Sequence, residues 1–159
     1  MNIKLACVGK LKDRFYIEAA AEYAKRLGRY AAVEICEVAD EKTPETLSDA
    51  EAIKAVAREG KRLLAGIADG EYVIALAIDG KKYDSVRFSK HVMDLFDAGK
   101  AKLTFVIGGS LGLDESVLRR ANERLSLSDM TFPHRLARVL LLEQLYRAFK
   151  IHTGEPYHK

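Results

Sequence analysis

From Leu136 to Leu142 the sequence LARVLLL leaves no polar side on two turns of helix, because Leu136, Val139, Leu140, Leu141 and Leu142 together point all the way round. A helix of that kind has to be covered on two sides. If one side packs on a sheet, the simplest cover for the other is a second copy of the chain. Arg138 lies inside the apolar arc: at about 100° per residue it points between Leu145 and Phe149. Buried arginine is rare without a partner. Two readings stay open for it, a side chain that snorkels or closes an internal ion pair, and one that meets an anionic ligand at a subunit boundary.

The chain has 159 residues, one domain's worth, and its 48% hydrophobic content can build a real core. Residues 1–159 are therefore expected to form a single domain. No apolar run approaches the roughly 20 residues of a membrane span, and the N-terminal MNIKLACVGKLKDR lacks the apolar centre of a secretion signal. A cytoplasmic protein with no membrane partner is expected. Cys7 and Cys36 lie in predicted strands without metal-ligand spacing to the four histidines, so buried free thiols and no metal are expected. The net charge of +3 allows a polyanionic partner without demanding one. Cations gather at Lys10, Lys12 and Arg14, at Arg119, Arg120 and Arg124, and at Arg135, Arg138, Arg147 and Lys150. The middle group reads as ordinary solvated helix surface.

Ile3 to Val8 reads as a strand, followed by a helix from about Asp13 to Gly28 on the spacing of Tyr16, Ala19, Tyr23 and Leu27. Gly28 is expected to close it. Val33, Ile35 and Cys36 with interleaved Glu34 and Glu37 suit a strand at a sheet edge. Ser48 and Glu51 make a capping-box pattern that opens a helix through Ala65. Tyr72 to Ile78 and Leu103 to Ile107 are unbroken apolar runs of the kind found in central parallel strands. Asp79-Gly80 signals a turn, Ser85 to Ala98 is amphipathic, a helix begins near Asp114, and a short strand covers Arg124 to Ser126. The alternation predicts an α/β domain, a largely parallel sheet with helices on both faces.

In such sheets ligands bind beyond the carboxyl ends of the strands, which draws attention to the segments after Ile78 and after Ile107. The latter, IGGSLGLD, has three glycines that permit close backbone approach. It has neither the Rossmann glycine spacing nor a Walker lysine, which weakens nicotinamide and P-loop readings. A second loop, Leu127-Ser128-Asp129-Met130-Thr131-Phe132, precedes Pro133, which favours the first position of a helix. Its amides could hold an anion or a polar ligand edge, or Thr131 could simply cap the helix.

The IGGSLGLD loop, the SLSDMTFPHRLARVLLLEQLYRAFKI segment and the terminal GEPYHK resemble the bacterial large-subunit ribosomal RNA pseudouridine N3-methyltransferases, a small family of the SPOUT class. The likeness covers the whole chain and is most specific over residues 103 to 159. It implies a C-terminal trefoil knot, in which the last segment threads an earlier loop, although knots are otherwise nearly absent from folds. It also implies S-adenosylmethionine as cofactor, carried over onto Leu76, Gly108 and Leu127, Ser128, Asp129, Met130, Thr131 and Phe132. The implied partners are a second copy of the chain and 23S ribosomal RNA in the assembled ribosome. A mildly basic protein without an extra RNA-binding domain fits a target that presents its own shape and phosphates.

Methylating N3 of pseudouridine requires removal of a proton held at neutral pH. His134, Arg135, Tyr157 and His158 are the candidates, since an arginine can stabilise charge developing on the ring and a histidine can accept a proton. The bland alternatives are a helix-start residue for His134 and a frayed tail for Tyr157 and His158. Arg138 would serve RNA binding or the dimer contact. Two other functions compete: a ribosome-binding factor without transfer, separable by its failure to bind the cofactor, and a metabolic enzyme for a small phosphorylated substrate, which would act without RNA.

Overall fold

The computed structural model describes residues 1–159, in which five strands alternate with five helices. Strands β1 (Asn2–Val8), β2 (Ala32–Val38), β3 (Tyr72–Lys81), β4 (Lys102–Ile107) and β5 (Glu123–Leu125) form one sheet in the order β2-β1-β4-β3-β5, with every pairing parallel. Helices α1 (Arg14–Leu27), α2 (Asp49–Ala65), α3 (Ser85–Asp97), α4 (Glu115–Arg120) and α5 (His134–His152) connect them and close the chain.

Alternation along each strand divides the core in two. Ile3, Leu5 and Cys7 of β1 and Leu103, Phe105 and Ile107 of β4 face α1, α3 and α5, in a core that also holds Leu27, Phe88, Val92, Leu141, Leu142, Leu145 and Phe149. Ala6, Val8, Val73 and Val106 face the other way, onto Leu63 of α2 and Val117 of α4. β4 is buried along nearly its whole length, as its unbroken apolar run requires, whereas β2 forms an edge with its glutamates in solvent. Glu34 there accepts from Lys102 at 2.9 Å. Cys36 is consequently only half-buried, against the expectation of two buried thiols, while Cys7 is fully buried.

The Ser48–Glu51 capping box forms in full and starts α2. Gly28 ends α1 in a right-handed conformation, so its amide, not a left-handed turn, closes the helix by donating to Ala24. Pro133 stands at the cap of α5 in an extended conformation, one residue earlier than its expected first helical position, and Thr131 makes no side-chain cap.

Asp79-Gly80 is no turn. β3 continues through it to Lys81, whose carbonyl accepts from the amide of Ser126 at 3.0 Å, and a Cβ on Gly80 would lie 2.5 Å from the backbone carbon of Leu125. The glycine lets the chain leaving β5 run against the end of β3.

From that passage the chain turns into α5, which lies on the sheet between α1 and α3. A single chain therefore covers α5 more completely than the sequence suggested, because α1 and α3 flank it on the face it shares with the sheet. Leu136, Val139 and Leu140 stay half-buried. Arg138 is 2% exposed, and its guanidinium donates to Glu37 at 2.7 Å and to the carbonyls of Val8 and Gly9 at 3.0 and 2.6 Å. That decides for the internal ion pair: a side chain so enclosed ties α5 to the end of β1 and cannot meet RNA or a partner subunit.

Candidate cofactor cleft and active site

The parallel strands all point their carboxyl ends to one edge, and there three separate segments close a cleft of about 150 Å³. Leu76, Ala77 and Ile78 contribute one wall, Ile107 to Gly109 with Gly112 and Leu113 a second, and Leu125 to Ser128 with Met130 to Phe132 a third. His134 and Ala137 of α5 complete it. Of the sequence-predicted cofactor residues, Leu76, Gly108, Leu127, Ser128, Met130, Thr131 and Phe132 all line this cleft. Asp129 does not; its carboxylate turns outward to pair with Lys82.

Local chemistry explains the shape. A Cβ on Gly108 would lie 2.5 Å from the carbonyl oxygen of Gly112, so only glycine admits the 108–112 turn, and Gly112 itself has a positive φ of 80°. The turn closes through the Gly112 amide donating to Gly109 at 3.1 Å. Across the cleft, the Ser128 hydroxyl accepts from the Met130 amide at 3.0 Å and shapes the third wall. Ile78 and Met130 stand at the mouth 73% and 75% exposed, apolar surface that a bound ring would cover.

A second cavity, about 550 Å³, shares Leu125, Ser126, Leu127 and Phe132 with the cleft and continues to Tyr83, Ser85, Leu140, Gln144 and His158. Of the four candidate catalytic residues, His134 lines the cleft and His158 the second cavity, while Arg135 and Tyr157 line neither. Burial first, then Arg135 and Arg138, lowers the pKa of His134 below the ordinary value of 6.5. Arg135 is turned to Asp13, 3.1 Å away, with both side chains partly in solvent. Tyr157 donates to Glu143 at 3.0 Å and packs edge-on to Tyr146 at 4.8 Å; burial and the neighbouring carboxylate push its pKa up, so it stays a phenol. His158 lines the second cavity with its Nδ1 3.3 Å from an Arg147 nitrogen. The tail is pinned rather than frayed: Glu155 binds Lys150 at 2.5 Å and Tyr30 at 2.9 Å, which depresses its pKa to about 2.

Most of the basic clusters are spent inside the fold. Arg120 holds the carbonyls of Ala68 and Glu71 at 3.0 Å, beyond the plain solvated surface expected of it, while Arg124 pairs with Asp79 and Arg147 with Glu143. Lys10 and Lys12, exposed just past β1, make no such bond. No three His, Cys, Asp or Glu side chains converge on a point that could hold a metal ion. Sequence reasoning missed one group, Glu59 of α2, which lies behind the glycine turn at 3% exposure. The signal was there in the spacing of Ala55, Glu59 and Leu63, which sets an acid on the apolar stripe of a helix.

Residues 1–158 match a family model described as "Predicted SPOUT methyltransferase". A Listeria monocytogenes protein named ribosomal RNA large subunit methyltransferase H is 57% identical over 159 residues, with all of both chains covered. One of the same name from Enterococcus faecalis is 55% identical over the same span. Among solved structures, a Bordetella pertussis protein described as a "Probable Methyltransferase" aligns with TM-score 0.58 at 14% identity, over 92% of this chain and 95% of that one. A Legionella pneumophila protein solved in complex with the cofactor SAM aligns with TM-score 0.52 at 13% identity, over 93% of this chain and 66% of that one. At such identities these structures speak for the fold.

Proposed function

The chain belongs to the SPOUT methyltransferase family, and from that premise we propose that it transfers a methyl group from S-adenosylmethionine to N3 of a pseudouridine in 23S ribosomal RNA of the assembled ribosome. The observation that carries this reading is the convergence of residues 76–78, 107–113 and 125–132 into one cleft at the strand ends. The residues present fit the cofactor. Glycines 108 and 109 leave the backbone bare for a polar edge, while Leu76, Ile107, Leu127 and Phe132 offer apolar walls to a flat ring. When bound, the cofactor supplies an activated sulfonium methyl group.

The chain's own residues then have two tasks, alignment and proton handling. The cavity next to the cleft gives the target base a place that shares walls with the donor site, and alignment of this kind is worth several kcal/mol, up to about 10. His134, kept neutral by its burial, accepts the N3 proton. With Arg147 donating to its Nδ1, His158 presents Nε2–H to the cavity and hydrogen-bonds a carbonyl oxygen of the base as negative charge grows there. Arg135, next to His134 on α5 and paired with Asp13, would have to exchange that partner to stabilise charge on the base, and Tyr157 holds the tail in place. Replacing His158 with alanine should lower turnover at saturating cofactor about a hundredfold, and unchanged turnover would remove it from the chemistry.

Lys10 and Lys12, unpaired at the same edge of the sheet, are available to RNA phosphates. A second copy of the chain packs on the half-buried stripe of Leu136, Val139 and Leu140, and the protein acts in the cytoplasm, where its ribosomal substrate lies. No helix is long and apolar enough to cross a membrane. The deciding experiment incubates the protein and S-adenosylmethionine with ribosomes from a strain lacking the modification and maps the methylated nucleotide. Methyl transfer elsewhere, or none, overturns the proposal.

A further inference from the structure

Every other carboxylate on α2 faces solvent, but Glu59 points inward. Its Oε1 accepts from the Glu41 amide at 2.9 Å, while Oε2 is buried without a partner. Burying such an oxygen unpaired is costly, so its surroundings call for a role.

Those surroundings are the underside of the glycine turn. A Cβ on Gly109 would lie 3.7 Å from Oε2 and 3.1 Å from Val8, so the turn rests directly on the end of β1 and on this carboxyl group. One residue on, a Cβ at Gly60 would come within 2.8 Å of the Cβ of Asp114, the cap of α4. Helix α2 is thus wedged against both ends of the 108–114 segment, with little freedom to withdraw. The upper side of that turn lines the cleft.

The charges facing Glu59 are mostly negative. Asp40 and Glu41 come from the segment after β2, and Asp114 from α4 is already engaged by Ser116. Arg62 and Arg58 are directed to Glu41, with Arg62 also donating to the Ala39 carbonyl. Burial is the largest influence on Glu59, and it and the two acids together raise the pKa over the opposing Glu41 amide and Arg62.

We propose that Glu59 is a positioning residue of the cofactor cleft: its Oε2, buried without a partner beneath Gly109, donates when it carries a proton to the backbone of the 108–112 turn and sets that turn against the methyl donor. The inference rests on the functional reading above. Gln keeps an acceptor for the Glu41 amide and a donor toward the turn, whereas Ala keeps neither.

The test measures S-adenosylmethionine binding by calorimetry, and methylation of unmodified ribosomes, for the wild type, E59Q and E59A from acidic to alkaline pH. On the acidic side of the Glu59 titration E59A should bind the cofactor about tenfold more weakly than the wild type, while E59Q stays within about threefold of it. Wild-type affinity should fall as pH rises through the raised pKa of Glu59, and that of E59Q should not. If E59Q loses as much as E59A, the oxygen is an acceptor and the proposal fails. Lower melting temperatures with unchanged affinity would also overturn it, leaving Glu59 a packing residue. Should E59A not fold, E59Q and the wild-type pH profile decide alone. Absence of any cofactor heat with the wild type would instead sink the functional reading, and this inference with it.

Discussion

The two faces of the sheet each bury a charge that sits on the apolar stripe of a helix, and they treat it in opposite ways. On the broad face, Arg138 of α5 spends its terminal nitrogens on Glu37 and the carbonyls of Val8 and Gly9. On the narrow face, Glu59 of α2 has one oxygen bonded and one bare beneath the glycine turn. Arg138 leaves only its Nε bare and has its charge paired, which fixes structure; Glu59 has no ion pair and is under strain that a ligand or a proton can relieve. The broad face also holds the larger apolar core, and the narrow face supports the glycine turn that lines the cleft.

The sharpest way to break this division is to damage each face separately. Phe149 stacks on Tyr30 at 5.4 Å and meets Phe96 at 6.4 Å in the larger core, far along α5 from the cleft. Phe149→Ala should cost about 3–5 kcal/mol of unfolding free energy in denaturant titrations, while protein that remains folded keeps its affinity for S-adenosylmethionine. A matching loss of affinity would mean the two faces are not separable. Gly108→Ala should do the reverse. The added methyl meets the Gly112 carbonyl, so cofactor binding should weaken at least about tenfold, near 1.4 kcal/mol, by calorimetry with a smaller change in stability.

The same contrast explains what could be read from residues alone. Apolar runs over Tyr72–Ile78 and Leu103–Ile107 and the capping box at Ser48 are local signals, and they placed the strands, α2 and the parallel sheet correctly. Asp79-Gly80 misled because its glycine serves a contact with Leu125, 45 residues away, and not a local turn. Arg138 was visible as a charge in an apolar arc, but its partners on β1 and β2 are set by tertiary structure. Glu59 carried the same signal and was passed over, since a glutamate in a helix is ordinary until burial is known. The cleft residues came from strand-end topology together with family resemblance. The split of His134 from Tyr157 and His158 needed the path of the tail.

A third perturbation, of protonation, separates structure from chemistry at His134. Burial, Arg135 and Arg138 lower its pKa in the folded protein, so below pH 6.5 the unfolded chain takes up a proton that the folded one still refuses. Stability should therefore decline as pH falls from 6.5 to the lowered folded value, and become insensitive to this group below it. If His134 accepts the substrate proton, kcat should fall by up to tenfold per unit, about 1.4 kcal/mol, only below the lowered value, where the folded protein protonates. His134→Asn should abolish both limbs. Retention of the kinetic limb in that variant would transfer the role of base to another group.

The smallest expected effect tests whether α2 acts as one rigid support. Ser48→Ala removes the side chain that accepts from the Glu51 amide and should cost about 1 kcal/mol, readable as a lower melting temperature. Ser48 lies eleven residues from Glu59, about 16 Å along the helix axis. Fraying at that end stays within the first turn, whereas Glu59 is clamped where α2 meets α4 and the glycine turn. Cofactor affinity should therefore remain at the wild-type level in Ser48→Ala while E59A loses it, two changes on one helix with opposite readouts. If the cap deletion also weakens binding, α2 moves as a unit, and the narrow face transmits stability to the cleft along its whole length rather than through a single carboxyl group.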